Sequence, residues 1–373
     1  MFVVCAPGLE PMLGEELSAL GIRGECQRAT VGGIEVDGDL ETLYRLHLEL
    51  GLALKVLLRL GRFPARHFEV LVKRVAELPW ELWCAEGVAI SARASCKASK
   101  LYHSGAVCER VLQGIETRLG RAVLAPREGQ DADSMVEVQA RLERDTCTLS
   151  IDVSGELLHR RGYRLATAKA PLREDLARAL ILASGWDRKS PLVDPFCGSG
   201  TIVIEADWLA RGIAPGHARR FAFMHAPCFD APLFERLRRD VMARHTSRDF
   251  ALSGSDRDIG AIRAARSNAE RAGSEIEWVA APLSNSPVFE RLEGRGALVT
   301  NPPYGLRIGH DRSLDALYRA LGERVQRCEA ALQLGIAVAS KQHALATGLS
   351  LRSALMTDHG GSKIYFAVGE HQG

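Results

Sequence analysis

The chain has 373 residues, 46% of them hydrophobic, and a formal net charge of +2 at pH 7. That length suggests two or three domains with sizeable cores, and the near-neutral balance means that any nucleic-acid surface must come from local clusters. The nine cysteines include no CxxC pair, which argues against a structural zinc site and points to reduced thiols in a cytoplasm.

MFVVCAPGLEP lacks the basic and long apolar regions of a signal peptide, and no apolar run reaches membrane length. In chain order, FVVCA (2–6) reads as a strand and LEPMLGEELSALG (9–21) as a helix stopping at glycine. ECQRATVGGIEVDG carries strand segments about a Gly32-Gly33 turn. Residues 39–53 read as an amphipathic helix capped by Asp39, and 54–63 as a strand. This βαββαβ order is that of a ferredoxin-like unit over 1–63.

A second α+β unit spans 64–158. Residues 68–83 mix strand and helix signals, 87–95 alternate as a strand, and 104–120 form a helix ending at Gly120. A polar loop over 124–134 precedes two alternating runs about Arg144-Asp145, a hairpin. From about residue 170 strands alternate with helices, the pattern of an open α/β sheet with mostly parallel strands. Residues 351–369 add an antiparallel edge of two strands joined by Gly360-Gly361.

VDPFCGSGT (193–201) joins a strand to a helix. A triphosphate loop needs a Lys after its last glycine, and a dinucleotide loop needs a third glycine where Val203 stands. S-adenosylmethionine has no phosphate and needs only close backbone approach. Asp194 through Thr201, including Phe196, Cys197, Gly198, Ser199 and Gly200, fits that ligand. Asp256, followed by Arg257, ends the next strand and suits ribose hydroxyls.

NPPYG (301–305) follows the apolar run ALVT. A plain turn needs one Pro or Gly; two prolines remove two donors and fix two φ angles. The stiff turn presents Asn301, bare carbonyls at Pro302 and Pro303, and the ring of Tyr304. A nucleobase exocyclic amine is a poor nucleophile because its lone pair is delocalised. Asn301 and the Pro302 carbonyl suit its N–H groups, and Tyr304 suits stacking on a flipped base.

These motifs resemble those of Rossmann-fold N-methyltransferases: DPFCGSGT, GSD (254–256), RSNA (266–269) and NPPYG. HRRGYR (159–164) and APLREDLA (170–177) narrow the resemblance to the THUMP-domain RNA guanine-N2 methyltransferases, especially the 23S rRNA branch. The resemblance covers nearly the whole chain. It implies a ferredoxin-like unit and a THUMP RNA-binding domain ahead of a methyltransferase domain over 159–373. It also implies methyl transfer from S-adenosylmethionine to guanine N2, with motif positions at Asp194, Gly198, Gly200, Asp256, Asn301, Pro302 and Tyr304. One departure is the third strand, which ends at Ala281 without an acid or amide, leaving backbone at Pro282 or Leu283 to read the adenine.

Arg93, Lys97, Lys100, Tyr102 and His103 form one candidate RNA surface, and Arg160, Arg161, Tyr163 and Arg164 a second. Arg219-Arg220 and Arg236-Arg238-Arg239 stand open between RNA contact and ordinary surface. No metal spacing is present. A tRNA guanine-N2 enzyme is the nearest alternative; DNA adenine-N6 methylation and non-catalytic RNA binding are others.

Overall fold

A computed structural model describes residues 1–22, 27–165, 171–303 and 311–373, without the side chains of 27–30 and 311–313. The first strands and helices are β1 (Phe2–Cys5), α1 (Glu10–Ala19), β2 (Gln27–Thr30), β3 (Gly33–Val36), α2 (Leu40–Glu49) and β4 (Ala53–Pro64), in the expected βαββαβ order. Asp39 caps α2, its carboxylate accepting from the Thr42 N–H at 2.9 Å. The helix ends at Glu49 rather than Ala53. Gly51 and Leu52 turn the chain into β4, their N–H groups donating to the Glu16 carboxylate at 3.2 and 3.0 Å.

The chain continues through α3 (Phe68–Ala76), β5 (Ala89–Lys97), α4 (Ser104–Leu119), β6 (Met135–Glu143) and β7 (Thr146–Asp152). The mixed signals of 68–83 resolve into α3 because Leu71 and Val75, one turn apart, are its buried residues. Trp80 closes the turn after α3 by donating its indole N–H to the Val75 carbonyl at 2.7 Å. Arg144 and Asp145, with φ of 49° and 60°, make the two-residue hairpin between β6 and β7.

These strands form one sheet in the order β2-β3-β1-β4-β7-β6-β5. The twelve-residue β4 pairs with β1 on one edge and β7 on the other. The boundary expected at residue 63 therefore falls at the end of a shared strand, and the two N-terminal units build a single continuous sheet.

The second half contains α5 (Glu174–Ser184), β8 (Leu192–Asp194), α6 (Thr201–Arg211), α7 (Ala231–Ala243), β9 (Leu252–Asp256), α8 (Ile259–Ala272) and β10 (Glu277–Ala280). It ends with β11 (Arg295–Thr300), α9 (Asp311–Gln326), β12 (Ala331–Val338), α10 (Lys341–Ala346), β13 (Leu351–His359) and β14 (Ser362–His371). Its sheet order is β10-β9-β8-β11-β12-β14-β13. The strands from β10 to β12 are parallel, and β14 and β13 form the expected antiparallel edge. From β8 the chain moves to β9 on one side and later to β11 on the other. The strand order reverses there, which places a ligand crevice at the carboxyl end of β8.

An aromatic knot joins the two halves. Helix α7, in the insertion between α6 and β9, was not foreseen. Tyr44 of α2 stacks on Phe223 at 5.0 Å and meets Phe229 and Phe234 edge-on at 5.8 and 5.6 Å. Its hydroxyl accepts from the Asp230 N–H at 2.9 Å. Arg219 donates to the Leu157 and Glu156 carbonyls at 2.9 and 3.0 Å, so it ties the insertion to the chain after β7. No helix among the described residues is long and apolar enough to cross a membrane.

Candidate active site

The loop after β8 turns on two left-handed glycines, Gly198 at φ 53° and Gly200 at φ 86°, the second capping α6. Asp194 is buried and accepts from the Phe196 N–H at 3.0 Å and the Thr300 hydroxyl at 2.5 Å. Burial pushes its carboxyl up to about 7, against the pull of those two donors. On the neighbouring strand, half-buried Asp256 accepts from the Gly198 N–H at 3.1 Å and the Asp258 N–H at 2.9 Å. The Cys197 N–H donates to the Ser255 carbonyl at 3.0 Å, so β9 holds the loop by backbone as well.

Thr300 is the last residue of β11, and Asn301 follows it. The Thr300–Asp194 bond therefore joins the strand that presents the NPPY turn to the acid that opens the glycine loop. Asn301 is half-buried and Pro302 buried. Tyr304 lies outside the described residues.

A ferredoxin-like domain family, described for RlmL, matches residues 1–57, and the RMKL-like methyltransferase domain matches residues 161–359. The chain belongs to the RMKL-like methyltransferase family. A curated relative from Syntrophotalea carbinolica, Ribosomal RNA large subunit methyltransferase K/L, is 37% identical over 340 residues, covering 87% of this chain and 47% of the relative. The chain thus spans about half the length of the curated relatives it matches. Among solved structures, SMU.472, described as a methyltransferase complexed with SAH, is 29% identical with a TM-score of 0.86. It covers 98% of this chain and 96% of its own. A protein from Listeria monocytogenes named as a predicted N6-adenine-specific DNA methylase is 27% identical, with a TM-score of 0.84 and coverage of 98% and 94%.

The loop's chemistry fits S-adenosylmethionine, the cofactor expected from its two glycines and two acids. The Ser199 and Thr201 hydroxyls are buried beside Gly200 with no hydrogen-bond partner among the described residues, as befits a polar ligand site. Cys197 is buried and its thiol is pushed well above its usual range, first by burial and then by Asp194 and Asp256, so it packs and does not attack. The Ala281 N–H donates to the Asp256 carbonyl at 3.0 Å, which brings exposed Pro282 and buried Leu283, next in the chain, close to the end of β9. Arg257 is exposed just beyond Asp256.

Three supporting residues were given no role by the sequence reading, although Asn268 lies within its RSNA motif. Trp278 on β10 lies against the loop: a Cβ at Gly200 would fall 2.6 Å from its ring and one at Gly254 2.5 Å. Asn268 donates its amide to the Ser199 carbonyl at 3.0 Å. Thr300 is the third. A glycine inside β9 signals close approach by a neighbour, but it does not say which neighbour.

The two candidate RNA clusters part company. Arg93, Lys97, Lys100 and His103 are exposed around the end of β5 and the start of α4, with Tyr102 80% exposed. His103 also caps α4, accepting from the Ala106 N–H at 3.2 Å, and Arg93 pairs with Glu137 at 2.9 Å. In the second cluster only Arg160 is exposed, paired with Glu156 at 3.0 Å. Burial corrects the RNA expectation for Arg161, while Arg164 is half-buried and engaged within the protein. The Arg161 side chain, 1% exposed, pairs with Glu205 at 3.4 Å and donates to the Gly51 carbonyl at 2.5 Å. Arg164 pairs with Glu174 at 2.9 Å and donates to the Leu172 carbonyl at 3.0 Å. No surface of Arg161 remains for a phosphate.

Proposed function

We propose that the protein transfers a methyl group from S-adenosylmethionine to the exocyclic N2 of a guanine in large-subunit ribosomal RNA. The Thr300–Asp194 bond carries this reading, because it brings the amine-binding turn and the cofactor loop to one crevice at the strand ends. The name of the ribosomal RNA relative at 37% identity supports the substrate class. The reducing compartment implied by the cysteines, all eight described ones being free, supports a cytoplasmic location.

S-adenosylmethionine supplies an electrophilic methyl on a sulfonium. Asn301 and the Pro302 carbonyl accept the N–H groups of the amine and turn its lone pair toward that methyl. Tyr304 stacks on the extruded base. Alkylation makes the amine acidic, so its proton leaves to water without a strong base. Residues 1–155, which carry the N-terminal sheet, select and hold the RNA through Arg93, Lys97, Lys100, Tyr102 and His103, with Arg160 just beyond.

Asn301→Ala should lower single-turnover methylation about 100-fold or more, the scale of lost positioning. Cofactor affinity should change little, because Asn301 serves the base. Transfer of radiolabelled methyl from saturating cofactor measures the first and calorimetry the second. Near-normal transfer by the variant would remove Asn301 from the mechanism.

A further inference from the structure

We infer that Arg271 and Asn268 are positioning residues that set the cofactor loop in register with the N-terminal sheet. The Ser199 peptide lies between Gly198 and Gly200, at φ 53° and 86°. Glycines impose little local restraint, because they accept either sign of φ. The restraint comes from α8, where fully buried Asn268 donates its amide to the Ser199 carbonyl at 3.0 Å.

Asn268 is itself oriented. Arg271, one turn further along α8, donates Nη2 to the Asn268 Oδ1 at 2.5 Å and Nη1 to the Ser267 hydroxyl at 2.7 Å. Its Nε donates to the Tyr163 carbonyl at 2.9 Å. A guanidinium spreads rigid donors across a plane and so reaches all three acceptors at once. With its oxygen turned to Arg271, the Asn268 amide must present its NH₂ to Ser199.

The Tyr163 end is anchored too. The Tyr163 hydroxyl donates to Glu205 Oε1 at 3.2 Å, and Arg161 pairs with the same carboxylate at 3.4 Å. Arg161 also donates to the Gly51 carbonyl, just ahead of β4. Glu205 lies on α6, the helix that the cofactor loop opens. The segment 159–164 therefore grips the loop twice, through Glu205 and through Arg271–Asn268, while Arg161 grips the N-terminal sheet. Neither Arg271 nor Asn268 needs to touch the cofactor, so their effect falls on cofactor binding more than on turnover.

This rests on the loop being the cofactor site, which titration of the unaltered chain with S-adenosylhomocysteine tests separately. Arg271→Ala in the full chain should raise the Kd for S-adenosylhomocysteine and the KM for S-adenosylmethionine about three- to tenfold, the equivalent of one net hydrogen bond. kcat at saturating cofactor should stay within about twofold, because the target amine is held elsewhere. Arg271→Lys, which reaches fewer acceptors, should recover part of the affinity. Asn268→Asp keeps an oxygen for Arg271 but sets an acceptor against the Ser199 carbonyl, so it should weaken binding at least as much. Because the two act in series, Asn268→Ala/Arg271→Ala should lose no more affinity than Asn268→Ala alone. If the Asn268 variants fail to fold, the Arg271→Ala and Arg271→Lys pair still decides. Wild-type affinity in folded Arg271→Ala, an unchanged KM with a reduced kcat, or additive losses in the double variant would overturn the inference. A merely structural role would lower the melting temperature and leave the affinity of the folded protein unchanged.

Discussion

Burial raises the Asp194 carboxyl to about 7 even though the Thr300 hydroxyl and Phe196 N–H both favour its ionised form. A group so placed acts as a joint between the loop and β11. Asp256 is different: it is half-buried, and its carboxylate holds the Gly198 and Asp258 N–H groups at a strand end. Asp256→Ala should therefore weaken S-adenosylmethionine binding by about 1–3 kcal/mol, the scale of hydrogen bonds to a charged group. Calorimetry measures this, and an unchanged affinity would remove Asp256 from the cofactor site. At this scale the sequence was legible where chemistry constrains neighbours in the chain. The spacing of Asp194, Gly198, Gly200 and Asp256 foretells that they meet at the ends of neighbouring strands. Arg161 was misread because HRRGYR resembles a phosphate-binding string, while its partners Gly51 and Glu205 lie far away in the chain.

The elements show the same division. Most of the strand and helix order follows periodicity and glycine stops, the short α10 apart, and the Arg144-Asp145 hairpin follows from turn chemistry. Helix α7 did not, because the insertion around it is rich in charge and its apolar residues answer to α2 rather than to their own sheet. That docking surface is also a titratable one. His47 of α2 is buried beside the stacked pair Phe221 and Phe223, its ring centroid 5.0 and 4.9 Å from theirs and edge-on to both. Its Nδ1–H donates to the Leu43 carbonyl at 2.7 Å, and its Nε2 accepts from the Ser154 hydroxyl at 3.0 Å, the tautomer that this network requires. Burial, aided by Arg219, lowers its pKa from 6.5 to about 3. The unfolded chain thus binds a proton near pH 6.5 that the folded chain refuses. The His47 contribution is complete above pH 6.5 and is lost as pH falls toward 3, on the order of 5 kcal/mol at the acid end. Urea unfolding of wild type and His47→Gln from pH 8 to 4 reads this: the variant should start less stable and lose less on acidification. Parallel acid limbs would show that His47 does not govern the interface.

Over the whole molecule, a near-neutral chain has no broad field with which to offset the few kcal/mol of extruding a base from an RNA stack. Remote contacts must supply that energy, as non-reacting parts of a substrate do in other enzymes. On the proposed reading the exposed end of β5 supplies them, and the aromatic knot around Tyr44 ties the N-terminal sheet to the half that carries the crevice. Lys97→Ala with Lys100→Ala should weaken RNA binding and reduce its logarithmic salt slope by up to roughly two units if both side chains meet phosphate. The position methylated should not change. An unaltered slope in filter binding across salt concentrations would place the RNA elsewhere. The modular plan was legible in the motifs, whereas the continuous N-terminal sheet was not, because β4 pairs on both edges and strand partners cannot be read from one strand's pattern. The central claim is the identity of the methylated atom. Large-subunit rRNA lacking the modification, incubated with the protein and radiolabelled S-adenosylmethionine, can be digested to nucleosides and resolved by mass spectrometry. The account predicts label in N2-methylguanosine, lost with Asn301→Ala; label confined to a methyladenosine or to another position of guanine would contradict it.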